Sequence, residues 1–530
     1  MGSSLDYPKS TVDSKMQEVV TRYMLTIDGV GITWRPMPAS TSEKIRARLG
    51  HPIIDSDGHT VELTPVYLDY LKQAGGPDIV ERYVKATAAR GTNRWHDMSE
   101  SERRHDWTRC PPWWARPTRT LDRATASLPR LLHERMEELG LDYAVLYPTE
   151  GMGGPPVFRD EELRRVSCRA LNTFHAEIYR DCADRITPAA VIPFVNPREA
   201  IEEMEYAVSE LGLKVIVFTH QRRPIPKAQG AGPELAPYAY RLDTFGLDSE
   251  YDYDPVWAKC VELKAVPTSH AGSQGIGTRQ SISNYAYNHI GHFAAANEAI
   301  CKSLFMGGVT RRFPGIRLGF LECGVGWACV LYADLIGHWE KRGPRGIQNL
   351  NPENLDQEEL LRLVGEYGSD RVKDRLEDIR RFFEGTDASA IGNYRKAHEL
   401  RHPDNLDDWA RCEIEEPRDI RDLFVPHFYF GCEADDPTVV WAFNSRTNPF
   451  GARLNAMMSS DLGHWDVADM REVVPEAYEL VERGLLNEDD FRDFAFTNAA
   501  RFYTDMNPGF FAGTACENAV ADGLSLKSDI

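Results

Sequence analysis

Eight short apolar runs recur along the 530 residues, most of them separated by stretches with helical periodicity. They are Pro52–Ile54, Tyr143–Tyr147, Ala189–Val195, Lys214–Phe218, Ala265–Thr268, Arg317–Leu321, His427–Phe430 and Ala456–Ser459. Most are apolar at successive positions rather than at alternate ones, the pattern of parallel strands covered on both faces. Between them, Leu128, Leu132, Met136 and Leu139 form a helical stripe closed by Gly140. Ile201, Met204, Val208 and Leu211 form another, closed by Gly212. Thr64–Pro65 and Asp254–Pro255 read as an N-cap followed by proline in the first turn. Phe491, Phe494, Ala495, Asn498, Ala499 and Phe502 keep helical spacing behind a cap at Asn487. Repeated strand–helix alternation predicts an α/β fold, a TIM-like (β/α)8 barrel with large insertions. Two doubly wound domains give the same alternation, but no composition break divides the chain. Residues 66–127 and 343–425 are too long for simple βα units and read as insertions, at the barrel mouth or at an oligomer interface. The second is charge-patterned and also suits a solvated face.

Composition narrows the function classes. Acids outnumber bases 81 to 61, a net charge of −20, which argues against nucleic acid and against anionic membrane surfaces as partners. The expected partner is a small-molecule substrate, and the chain is expected to form a homo-oligomer, a dimer. The ten cysteines are scattered with no CxxC pair, as in reduced thiols of a cytoplasmic protein, and the N-terminus lacks a secretory-signal pattern. LGFLECGVGWACVLYADLIG (318–337) imitates a membrane span, but Glu322 and Asp334 favour a buried strand followed by a core helix.

Candidate chemistry sits where the apolar runs stop. In HPIIDSDGHTVEL (51–63) the first run leads into Asp55, Asp57, His59 and Glu62. Alternate strand residues point the same way, so Asp57 and His59 can converge on one ion. The same residues also suit a turn whose aspartates cap backbone amides. The fifth run stops at His270, and NHIGH places His289 and His292 three apart on one helix face. Glu322 ends the sixth run, where a buried carboxylate needs a charge partner, a hydrogen-bond network or a metal. MMSSDLGHWD follows the eighth with Asp461, His464 and Asp466. Arg222 and Arg223 in HQRRP suit either a fork for a substrate carboxylate or a plain surface. GMGG (151–154) and GSQGIG (272–277) lack a dinucleotide fingerprint and read as mouth loops.

These motifs in this order resemble the amidohydrolase superfamily, specifically the amidohydrolase-2 group that includes aminocarboxymuconate-semialdehyde decarboxylase-like metal-dependent enzymes. The resemblance runs from about residue 51 to 505 and rests on IIDSDGH, ELGLDYAVLYPT, RRFPGIRLGFLECGVGW, MMSSDLGHWD and NAARFY. It implies an N-terminal extension over 1–50, the barrel over 51–510 and a C-terminal tail over 511–530. It places the first-strand ligand pair on Asp57 and His59, the fifth-strand ligand on His270, and the eighth-strand ligand and proton shuttle on Asp461. The sixth-strand position, histidine in many members, is Glu322 here. Trading imidazole for carboxylate favours harder ions such as Fe or Mn, with Zn still possible. With six candidate ligands, Glu322 and His292 admit a second ion, so the cofactor is one or two divalent metal ions. The first function expected is metal-dependent hydrolysis of an amide, ester, thioester or lactone, with Asp461 and His464 handling the proton. Non-oxidative decarboxylation is the second, and O2 activation by two iron or manganese ions the third.

Overall fold

The computed structural model describes residues 23–28, 31–36, 39–89, 94–112, 118–228, 238–272, 280–350, 354–383 and 407–525. Strands β1 (Tyr23–Asp28) and β2 (Gly31–Pro36) pair antiparallel as a hairpin ahead of the main fold. The main sheet is built from β3 (Ile54–Thr60), β4 (Tyr143–Pro148), β5 (Ile186–Val191), β6 (Val215–Phe218), β9 (Val266–Ser269), β10 (Leu318–Phe320), β11 (Phe428–Cys432) and β12 (Asn455–Met458). All of its neighbouring strands pair parallel in that order. Just beyond the last strand the sheet closes on itself. Asp461 N donates to Asp57 O and His59 N to Leu462 O, both at 2.8 Å, while Ser460 N donates to the Asp55 carboxylate at 2.8 Å. The result is the (β/α)8 barrel expected from the alternation.

The apolar runs are legible in the sequence because nearly all of their residues are buried between barrel interior and surrounding helices. Phe194, Phe218, Phe245 and Trp257 stack in one sector, and Phe320, Phe424, Phe428 and Phe430 in another. Each such ring contributes roughly 1.5–3 kcal/mol by leaving water. Gly140 closes its helix at φ 73° and Asn487 caps the next-to-last core helix, as expected. The helices at Thr64 and Asp254 start at those residues rather than after them, with prolines in the first turn.

Three differences from the sequence reading bear on function. First, β3 does not stop at Ile54: it runs on through Asp57 and His59 to Thr60 and is buried along its whole length. A bulge lets it do so, the register passing from Asp55 opposite Ala144 to Gly58 opposite Leu146. Glycine suits position 58, since a Cβ there would stand 2.8 Å from a Leu146 methyl and 2.9 Å from Asp55 Oδ2, and both side chains would have to shift. Second, HQRRP is not a simple loop. β7 (Gln221–Pro224) pairs antiparallel with β8 (Tyr240–Asp243) as a small ribbon above β6. Third, the insertions behave differently. The first begins as the long helix Thr64–Ala88, broken at Gly76–Pro77, then returns to the mouth. There Trp95 Nε1 donates to Ile282 O, Cys110 N to Ser281 O, and Asn288 Nδ2 to Cys110 O, at 3.0, 2.9 and 3.1 Å. In the second, helix Pro417–Phe424 packs on the core helix Gly326–Arg342. Its helices Gln357–Tyr367 and Leu376–Phe383 are joined by exposed Arg380–Glu358 and flanked by Arg362–Glu359 pairs.

The ten cysteines are all thiols, nine of them buried. The stretch 318–337 is β10 followed by a core helix, as expected, and no described helix is long and apolar enough to cross a membrane.

Candidate metal centre

The C-terminal ends of β3, β9, β10 and β12 bring their polar residues to one point inside the barrel mouth. His59 Nε2 lies 3.2 Å from Asp461 Oδ1, 3.6 Å from Asp57 Oδ1 and 4.0 Å from Glu322 Oε2. His270 Nε2 lies 3.0 Å from Glu322 Oε2, 3.3 Å from His59 Nε2 and 3.9 Å from Asp57 Oδ2. Two overlapping constellations have ligand atoms all within 4.8 Å of one another: His59, Glu322, Asp461 and His464, and Asp57, His59 and His270.

The donor set fits a cation on three grounds. All five inner residues, Asp57, His59, His270, Glu322 and Asp461, are buried. Both carboxylate oxygens of Asp57 lie buried without a hydrogen-bond partner, which would cost several kcal/mol if nothing neutralised them. Glu322 Oε2 and Asp461 Oδ1 face imidazole nitrogens at close range yet lack hydrogen-bond geometry, and Asp461 Oδ2 is buried without a partner. Nitrogen and oxygen donors gathered round one buried point are chemically suited to hold a cation. Burial, reinforced by mutual repulsion, pushes the carboxyls of Asp57, Glu322 and Asp461 well above the usual carboxylate range and holds His59 well below the usual imidazole value. A bound divalent cation reverses that logic by favouring the deprotonated ligands.

Two of the carboxylates sit on unusual backbone. Glu322 has φ 51° and Asp461 φ 50°, left-handed conformations that non-glycine residues rarely adopt. Such strain persists where surroundings enforce it, and it concentrates at functional sites.

Around this centre the remaining candidates separate. His464 stacks on His59 with centroids 3.7 Å apart. Its Nδ1 is 2.7 Å from Asp461 Oδ1, and its Nε2 is 3.3 Å from Thr149 Oγ1 at the end of β4. His289 Nε2 is 4.0 Å from Glu322 Oε1, on the side away from His270. His292 is in neither constellation: its ring packs on Phe293 and on the backbone of Gly272, where a Cβ would stand 2.9 Å from Nδ1. Glu62 accepts from the backbone amides of Glu150 and Gly151, each at 2.9 Å, and so fixes the turn after β4. Arg223 is buried in the β7–β8 ribbon, donating to Asp243, Val195 O and Tyr253 at 2.7, 2.7 and 2.8 Å. Arg222 lies over the Tyr240 ring. The structure therefore keeps both arginines in the ribbon, with Arg223's donors spent there. Of the loop GSQGIG, positions 273–277 lie outside the described residues.

The structure adds residues that sequence reasoning missed. Glu433, just past β11, has its carboxyl pushed up to about 8 by burial and by Asp466 and Glu322. Arg109, carried in by the first insertion, acts electrostatically on His292 and His220. The acid-rich CEADD stretch and the Trp/Arg-rich insertion gave no reason to single either out; only their position after an apolar run (Glu433) or beside a cysteine-proline break (Arg109) was available as a signal. Tyr285, His289, Phe293 and Trp465 form a cluster of rings beside the centre, with Trp465 5.8 Å from Tyr285 and 5.5 Å from His289, ring to ring.

A family model described as Amidohydrolase matches residues 112–372. No curated protein matches. Among solved structures, 5-carboxyvanillate decarboxylase from Novosphingobium aromaticivorans, complexed with manganese and 4-hydroxy-3-methoxy-5-nitrobenzoic acid, is 13% identical. The match covers 86% of this chain and 97% of that one at a TM-score of 0.46. Dihydroxybenzoic acid decarboxylase from Polaromonas sp. JS666, with bound manganese and 2-nitroresorcinol, is 14% identical over 86% and 97% at 0.43. 2,6-Dihydroxybenzoate decarboxylase from Rhizobium is 14% identical over 86% and 99% at 0.41.

Proposed function

We propose, for a chain that belongs to the amidohydrolase superfamily, a metal-dependent enzyme that removes CO2 from a planar, ring-bearing acid without oxidation. The observation that carries this reading is the make-up of the chamber. A carboxylate–imidazole centre forms its floor, and the rings of Tyr285, His289, Phe293 and Trp465 line one wall. Arg109 contributes a positive charge felt at His292, whose ring packs on Phe293. Asp57, His59, His270, Glu322 and Asp461 are the residues that would hold the ion. When bound, it supplies Lewis acidity and stabilises negative charge on a substrate oxygen.

The chain's own groups do the rest. Arg109 is placed to pair with an anionic substituent, as a planar fork does with carboxylate. The wall of rings orients a flat substrate edge-on to the centre and keeps water sparse. Asp461 and His464, 2.7 Å apart, move a proton: His464 is the more exposed partner and takes it up, and Asp461 delivers it to the carbon that loses carboxylate. The balance is one acid anion and one proton giving one arene and CO2. Carboxylates outnumber imidazoles in the inner set, which favours a hard ion such as Mn²⁺. Glu322 turns Oε2 to His270 and Oε1 to His289, and would be among the residues holding a second ion if one were taken up.

Hydrolysis of an ester, thioester, amide or lactone is the second reading. One observation favours it: Glu433 and Asp466 add carboxylates around Glu322 and Asp461, more base than a proton delivery needs. Product analysis decides. Mn²⁺-loaded protein is offered hydroxybenzoic acids under argon, and their esters in parallel. Metal-dependent CO2 release supports the decarboxylase reading. Acid release from the esters with no CO2 from any acid replaces it with hydrolysis, and turnover that requires O2 overturns both.

A further inference from the structure

The rim of the chamber is apolar where a soluble surface would ordinarily be polar. Ile290 is 77% exposed, Tyr287 55%, Trp107 53% and Trp465 41%. These side chains belong to segments that the structure ties together. Tyr287 lies on helix Tyr285–His289 and Ile290 caps it, with Ile290 N bonded to Ala286 O at 2.9 Å. Tyr285 and His289, on the inner side of that helix, pack against Trp465. Trp465 follows His464 directly in the chain. Trp107 comes from the first insertion, and its carbonyl accepts from Gln280, at the start of the same rim segment. The buried Asn288 clamps the two together by donating to both Cys110 O and Ser281 O.

Trp107 sits just past helix Glu100–His105 in a left-handed conformation (φ 48°) that closes the helix, Thr108 N donating to Arg103 O at 2.9 Å. That turn leaves the indole exposed. Isolated exposed apolar residues are ordinary, whereas a cluster contiguous with a binding chamber marks a contact surface.

We infer that this rim binds the apolar body of the substrate: the enzyme takes an acid whose ring system is extended by a further apolar group, too large to be enclosed in the chamber. The inference rests on the reading of a carboxylate-directed metal centre and specifies its substrate class. The reacting carboxyl reaches the floor between His270 and Asp461, the anionic or polar ring substituents meet Arg109, and the distal apolar group lies over Ile290, Tyr287 and Trp107.

The test is a two-by-two set of probes on Mn²⁺-loaded protein, followed by calorimetry: benzoate, 4-phenylbenzoate, benzyl alcohol and biphenyl-4-methanol. The second ring is expected to tighten binding roughly tenfold in both the acid and the alcohol pair, as burial of one more apolar face should. Tyr287→Ser with Ile290→Ser removes that gain and leaves benzoate unchanged. Trp107→Gly, which suits the backbone angle, removes part of it. All three positions are exposed, so the fold is expected to survive, and thermal unfolding checks this. Equal affinity for one-ring and two-ring probes, or a gain that persists in the double variant, overturns the inference. The acid–alcohol difference reads the metal centre separately: if acids bind no better than alcohols, with or without Mn²⁺, the carboxylate-directed reading fails while the rim result stands. Sedimentation of the double variant completes the design, because dissociation of a dimer would assign the rim to a second copy of the chain and overturn the inference.

Discussion

Buried charge occurs in two places in this protein, and the two are built by opposite rules. Between the helices outside β4 and β5, Arg164 grips Glu199 with two hydrogen bonds of 2.8 Å, and Asn196 adds a third partner. Arg135 is treated likewise by Asp122, Thr125 and Glu138, and Arg223 by Asp243. Each buried cation there meets its own anion, and every donor has somewhere to go. At the mouth, Asp57, Glu322 and Asp461 are gathered with imidazoles that burial keeps neutral, carboxyl faces carboxyl, and among the described residues no side-chain cation lies within the cluster. The first arrangement is complete as it stands. The second is a set of donors that an ion from solution would complete. Charge pairing inside the fold therefore distinguishes what holds the molecule together from what it does.

That contrast can be broken in order of expected size. Asp461→Asn should lower turnover by roughly 10²–10⁴ while leaving the unfolding midpoint of metal-free protein unchanged or higher, since a neutral amide replaces a buried carboxyl crowded by Glu322, Asp466 and Asp57. A variant that turns over normally would remove Asp461 from the chemistry. Glu199→Gln should do the reverse. Stranding Arg164 should cost about 3–5 kcal/mol in denaturant unfolding, with metal affinity unaltered. If Glu199→Gln is no less stable than wild type, the helix pairs are not structural and the contrast collapses.

Chelation sharpens the comparison from the other side. At a hundredfold excess over its dissociation constant, a metal adds about 2.7 kcal/mol to folding, and that increment should vanish in His59→Ala but survive in Glu199→Gln. The smallest effect concerns a buried histidine far from the mouth. His427, bonded to Ile316 O, is held neutral by burial, its value lowered to about 4. Between about pH 6.5 and 4 the unfolded chain takes up a proton that the folded one refuses, so stability is present above that window and is lost as pH falls through it. At pH 5 the loss should be about 2 kcal/mol, read as the difference in pH dependence between wild type and His427→Asn.

The barrel was legible because its strands are buried on both faces, which leaves continuous apolar runs, and because Gly140, Asn487 and the two prolines mark helix ends. β3 was read too short for a physical reason. Asp, Ser and Gly are turn formers in isolation, and only the bulge and the facing residues of β12 keep them extended. His289 and His292 share a helix face in sequence, yet Gly291 at φ 71° separates their helices and only His289 turns to Glu322. Arg223 read as either a substrate fork or a surface arginine because its partner Asp243 is twenty residues on, across a ribbon that no local pattern announces. Glu433 was hidden in an acid-rich stretch that looks like any solvated turn. What escaped, in each case, is a contact made across the chain rather than along it.

The seam between β3 and β12 has a consequence in time. Every other pairing in the barrel joins strands that follow one another in the main sheet, but Ser460 meets Asp55 across 405 residues. Long loops close late and slowly relative to local contacts. Asp57 and His59 enter with the first barrel strand, and Asp461 emerges only after the last. A growing or refolding chain thus owns most of its ligands long before it owns the site, and the pocket cannot capture an ion tightly until the cylinder shuts. Uptake of an ion at this site would therefore mark completed folding.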